Sequence, residues 1–115
     1  MKAVKQFTCQ KKDMCTGHLY DPTGKKCCVT GAFYRACGVE KEAMVNKETN
    51  NDLFGKYTSL HDELANLYGV EADKIDEVIN EAMEINDHKK SSWKRRFKKI
   101  AEVFKEIGVK VIYKG

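Results

Sequence analysis

The sequence predicts an α+β fold in which a small two- or three-stranded sheet packs against three or four helices. Three observations carry that prediction. The second half of the chain holds three stretches whose apolar residues recur at helical spacing. Residues 15–37, CTGHLYDPTGKKCCVTGAFYRAC, hold a strong turn signal between short arms and read as a cysteine-rich hairpin that hands over to a helix. Residues 109–113, VKVIY, are β-branched and aromatic, which suits a terminal strand able to pair beside that hairpin.

In chain order, residues 3–9 suit a strand better than a single helical turn, and residues 11–13 read as a turn. Asp21-Pro22-Thr23-Gly24 is the hairpin tip. Proline presets φ, Asp21 can bond the backbone two residues on, and Gly24 tolerates positive φ. The arms are residues 17–20 and 25–29. A helix over 32–37 follows and stops at Gly38. Residues 40–58 are polar: a helical turn near 40–45, a loop over 46–52, and Leu53, Phe54 and Tyr57 turned back to the core. Ser59 with Asp62 resembles a capping box, and Leu60, Leu64, Leu67 and Tyr68 form a stripe ended by Gly69. Residues 71–86 place Ile75, Val78, Ile79, Ala82, Met83 and Ile85 inward. Ser92 caps the last helix, where Trp93, Phe97, Ile100, Phe104 and Ile107 share one face until Gly108.

Composition narrows the functional classes. The chain has 115 residues, 42% hydrophobic and 33% charged, which fits one globular domain over 1–115. No apolar run approaches the ~20 residues of a membrane span. The first residues lack the apolar core of a signal peptide, so a cytoplasmic location is expected. Thiols in that compartment stay reduced, and five cysteines make an odd set for disulfides. A net charge of +4 is too mild to imply nucleic acid by itself. Nothing in the sequence bears on oligomeric state.

Three groups of residues can carry chemistry. Cys15, His18, Cys28 and Cys37 have the ligand types for a tetrahedral zinc site built from a hairpin and a helix. Against it, there is no C-x-x-C pair, and strand alternation sends Cys27 and Cys28 to opposite faces; buried packing thiols are the competing reading. Cys28 is also a candidate nucleophile, because Gly31 just after it can open a helix N-terminus that favours a thiolate. Lys94, Arg95, Arg96, Lys98 and Lys99 crowd the helix at 93–107 and can contact phosphates or a partner, although Glu102 and Glu106 interrupt the cluster and a solvated face that complements the acidic helices is the competing reading. The carboxylates of residues 73–84 lie opposite an apolar stripe and read as a solvated face. The pair Asn86-Asp87 reads as a cap or turn between helices, and Trp93 as a core anchor.

Cys15, Gly17, Asp21, Gly24, Cys28, Gly31 and Ala32 also form an ordered set, followed by a helix ending at Gly38 and by Asn86-Asp87 ahead of the last helix. In these residues the chain resembles an uncharacterised family of small actinobacterial and bacteriophage proteins with the pattern W-x-x-G…D-x-x-G…C-x-x-G-A. The likeness spans most of residues 14–107. Cys15 stands at the usual aromatic position, the family's long N-terminal helix has no counterpart, and the Lys-rich last strand is an addition. The resemblance transfers no catalytic residue. It implies a small accessory protein of phage or mobile-element origin. The expected function is therefore a non-enzymatic interaction protein that binds a host protein through the basic helix or the hairpin tip. A nucleic-acid-binding accessory protein and a thiol enzyme centred on Cys28 are the alternatives.

Overall fold

Alternating burial along residues 6–10 makes them a strand. Phe7 and Cys9 face the core while Gln6, Thr8 and Gln10 face solvent. In the computed structural model, which describes residues 1–115, this strand, β1 (Gln6–Gln10), pairs in parallel with β2 (Lys110–Lys114), in the register Gln6 to Lys110 through Gln10 to Lys114. The intervening chain supplies five helices: α1 (Val29–Cys37), α2 (Lys41–Met44), α3 (Leu60–Tyr68), α4 (Ala72–Asn86) and α5 (Trp93–Lys105). The class is α+β, with a two-stranded sheet. No helix is long and apolar enough to cross a membrane.

The core forms where α1 is sandwiched between β1 and α4. Phe33 of α1 is wholly buried. Its ring lies 5.5 Å from Phe7, 5.0 Å from Phe104 and 6.0 Å from Tyr68, in the tilted arrangements that aromatic pairs favour. α4 buries Ile75, Val78, Ile79 and Ala82, and α5 buries Phe97, Ile100, Val103 and Phe104. Both stripes match helical spacing. Tyr113 of β2 stacks on Phe97 at 4.6 Å, so the sheet is fastened to α5 by an aromatic pair.

The cysteine-rich stretch is not a strand hairpin. The turn at its tip is real: the Gly24 N–H donates to the Asp21 carbonyl at 2.9 Å, and Gly24 sits at φ 72°. The arms, however, give most of their hydrogen bonds elsewhere. Leu19 N–H goes to the Lys47 carbonyl (2.7 Å), Asn46 N–H to Tyr20 (2.9 Å) and Cys27 N–H to Asp13 (2.9 Å), and only isolated bridges such as Tyr20 to Cys27 remain between them. The terminal strand therefore finds its partner in residues 6–10. α1 begins three residues earlier than its apolar face suggests, because Cys28 Sγ accepts from the Gly31 N–H and caps it.

Two smaller expectations are also corrected. Phe54 is 74% exposed and lies under the Lys47 ammonium (5.4 Å), while Leu53 and Tyr57 are buried as expected. Ser59 makes no side-chain cap at α3. Ser92 does cap α5, accepting from the Arg95 N–H at 3.2 Å.

Candidate functional site

The last helix separates its five clustered cations into two roles. Lys94, Arg95, Lys98 and Lys99 are exposed. Residues four apart stack on a helix, so Lys94 lies by Lys98 and Arg95 by Lys99 in one double row. None of the four is ion-paired, whereas Lys105 in the same helix meets Glu102 at 3.2 Å. A cleft lined by Trp93, Tyr113, Lys11 and Lys94 opens at the head of the row.

Arg96 points the other way. Its side chain is buried, its guanidinium lies 4.1 Å from the Trp93 ring centre, and it donates to the carbonyls of Ser91 (2.8 Å) and Asn86 (2.9 Å). It seals the turn between α4 and α5, and its charge is taken up by those carbonyls at the wall of the cleft shared with Lys99. Trp93 is half-buried rather than a full core anchor.

The zinc set does not assemble. Cys28 caps the start of α1 and Cys37 ends it, which puts them about 13 Å apart at the rise of an α-helix. Zinc–sulfur bonds are about 2.3 Å, so one ion cannot reach both. Cys37 lies instead 3.8 Å from the Tyr68 hydroxyl, and Cys15 Sγ approaches the His18 carbonyl at 3.8 Å. No three His, Cys, Asp or Glu side chains converge as a metal-holding group.

Cys28 does hold the helix N-terminus expected of a nucleophile, but burial decides its ionisation. Burial raises its thiol to about 12, against the smaller lowering effect of the Gly31 and Thr30 N–H groups. It is a protonated core thiol with no basic side chain bonded to it. The other four thiols are raised as well, all chiefly by burial, Cys15 and Cys27 to about 11.

A raised folded-state value stabilises the protein fully below the unfolded value, 9.0, and that contribution is lost as pH climbs through the folded ones. Each buried thiol charged only in the unfolded chain makes stability fall by about 1.4 kcal/mol per pH unit. Urea midpoints are therefore expected to fall steadily between pH 9 and 12, with a shallower fall in Cys28→Ala. A midpoint that is flat across that window would contradict this account.

Asn86, expected in a turn, is the polar hub of the fold. It is fully buried. Its Oδ1 accepts from the Val29 N–H at 2.9 Å, one of the donors that a helix start leaves free. Its Nδ2 donates to the Cys15 carbonyl and to Asp87 Oδ1, both at 3.0 Å, and Asp87 Oδ1 accepts from the Gly17 N–H at 3.2 Å. The end of α4 thus clamps both the cysteine-rich loop and the start of α1. The sequence signal is the adjacency of Asn and Asp, which does not separate a hub from a turn.

No family model, curated protein or solved structure matches this chain. The remaining catalytic-looking group is Tyr34, His61 and Asp76. Tyr34 Oη bonds His61 Nε2, and His61 Nδ1 lies 2.6 Å from Asp76 Oδ1. Tyr34 is wholly buried, and its hydroxyl is held well above the ordinary range, mainly by burial. The trio joins α1, α3 and α4 and runs outward from the buried Tyr34 hydroxyl, through the largely buried His61, to the exposed Asp76 carboxylate.

Proposed function

We propose that the protein is a non-enzymatic interaction protein that docks an acidic surface of a partner protein on Lys94, Arg95, Lys98 and Lys99. The observation that supports this reading most is that these four cations share one exposed strip and have no ion-pair partner, while Arg96 is engaged inside the fold. The resemblance to small phage and actinobacterial proteins points the same way, toward an accessory protein acting on a host component.

The extent of the strip favours protein over nucleic acid. Residues 94–99 rise by only about 8 Å along the helix axis. Glu102 follows on α5 and Glu106 just after its end, and Glu81 and Glu84 line the same cleft as Lys99. A duplex carries a charge about every 1.7 Å along its axis and would soon meet those carboxylates. A compact acidic patch on a protein would not.

The test compares poly-glutamate with a 20-base-pair duplex over a salt series. The parent protein is expected to bind poly-glutamate. The variant K94E/R95E/K98E/K99E is expected to lose that binding at least tenfold while keeping its thermal midpoint. Arg96→Ala is expected to do the opposite, costing roughly 2–4 kcal/mol of stability through lost charged hydrogen bonds and packing, with poly-glutamate binding retained under folding conditions. Tighter binding to the duplex, with a steep salt slope, would transfer the strip to a nucleic-acid function.

A further inference from the structure

β1 has a strand partner on one edge only. Along its other side runs a cleft of about 670 Å³, walled by β1, the loop between β1 and α1, and α1 itself. That volume lies in the range of small-molecule sites. Half of its lining residues are apolar, Phe7, Met14, Tyr20, Ala32 and Ala36 with the Cys9 and Cys27 thiols, and they are set among Thr8, Gln10 and the free edge of β1. Burial keeps both thiols protonated, and it raises the adjoining Tyr20 hydroxyl to about 12, so the floor carries no charge at neutral pH.

The rim has a different character. Lys25, Arg35 and Lys41 stand around the opening, all exposed and none ion-paired. The Lys41 stem passes 4.0 Å from where a Cβ on Gly24 would stand, which brings that ammonium to the same turn as Lys25. Asp13 is the one carboxylate on the wall. Apolar side chains beneath three unpaired cations match a ligand with a hydrocarbon body and an anionic head. The guanidinium fork of Arg35 suits a two-oxygen head, carboxylate or phosphate.

We propose that this cleft binds a small amphipathic anion, with its head held by Arg35, Lys25 and Lys41 and its hydrocarbon body on Phe7, Met14 and Ala36. The site is independent of the α5 strip.

Amide chemical shifts of the ¹⁵N-labelled full chain, titrated with octanoate, octyl phosphate and octylamine, test it. At least one of the two anions is expected to move the amides of Thr8, Cys9 and Ala36, and the tighter one identifies the head group. Octylamine is expected to bind at least tenfold more weakly. The variant R35A/K41A, altered only at exposed side chains, is expected to weaken the anion at least tenfold, and the α5 quadruple variant to leave it unchanged. Anions that leave those amides unmoved, octylamine binding as tightly, or R35A/K41A binding within twofold of the parent would each overturn the assignment.

Discussion

Gly31→Ala is expected to unfold the protein or to lower its urea midpoint severely. In an open helix interior the same change would help by about 1 kcal/mol, since alanine outranks glycine as a helix former. Here the sign reverses. A Cβ on Gly31 would stand 2.0 Å from the Leu19 carbonyl oxygen and 2.7 Å from its carbon, both backbone atoms. Leu19 cannot simply withdraw. Its side chain is fully buried, its N–H is bonded to Lys47, and its carbonyl receives the Cys28 N–H at 3.1 Å. Overpacking of a movable side chain costs roughly 1–3 kcal/mol, and a clash with fixed backbone should exceed that range. Soluble yield and chemical denaturation read the effect, and an unchanged midpoint would mean that the loop does not lie on α1 in this way.

Asn86→Ala is the second large effect. It removes the acceptor of the Val29 N–H and the donor to the Cys15 carbonyl, in a position closed to water. Each buried group left unpaired costs about 1–3 kcal/mol, so the loss should be roughly 2–5 kcal/mol. Asn86→Asp should be no milder, because it keeps the shape but places a second carboxylate against Asp87 and lacks the N–H donors. Hydrogen exchange separates this account from a general loss of stability. The amides of Gly17 and Val29 are expected to lose protection more than those in the middle of α4. Uniform loss across the chain would remove Asn86 from its role as the clamp.

These two residues also show where the sequence is readable and where it is not. The stripes of α4 and α5 are legible because burial on one helix face imposes its own period, and Gly69 and the Ser92 cap mark borders; in α3 Leu60 and Leu64 are buried as expected, but Leu67 is 42% exposed and His61 and Ala65 are buried instead. The strand at 109–113 is legible from its β-branched residues. Its partner is not, because pairing depends on which backbone groups remain free after folding. The hairpin fails for the same reason: Asp21-Pro22-Thr23-Gly24 specifies a turn, but nothing local says whether its arms bond each other or Lys47 and Asp13. The zinc set presumes that Cys28 lies on a hairpin arm, ahead of the helix that carries Cys37. With Cys28 as the cap of α1, the helix itself separates Cys28 from Cys37. Arg96 carries the same charge as Arg95 and Lys98 on either side of it, and only its aim at the Asn86 carbonyl sets it apart. Similarly, the rim of Lys25, Arg35 and Lys41 draws on three separate segments, so no linear pattern announces it.

The pairing of β1 with β2 has a consequence for how the chain is made. The first strand leaves the ribosome about a hundred residues before its partner at Lys110, an interval of roughly 5–20 seconds at ordinary rates of synthesis. Throughout it, Phe7 and Cys9 have no sheet to belong to, and the Tyr113 ring that covers Phe97 is made only after α5 is complete. The nascent protein can gather its middle helices early, but the seam that joins its two strands closes last. The edge of β1 that β2 occupies therefore stays open until the last residues of the chain are made, and the sheet is the final part of the fold that synthesis allows.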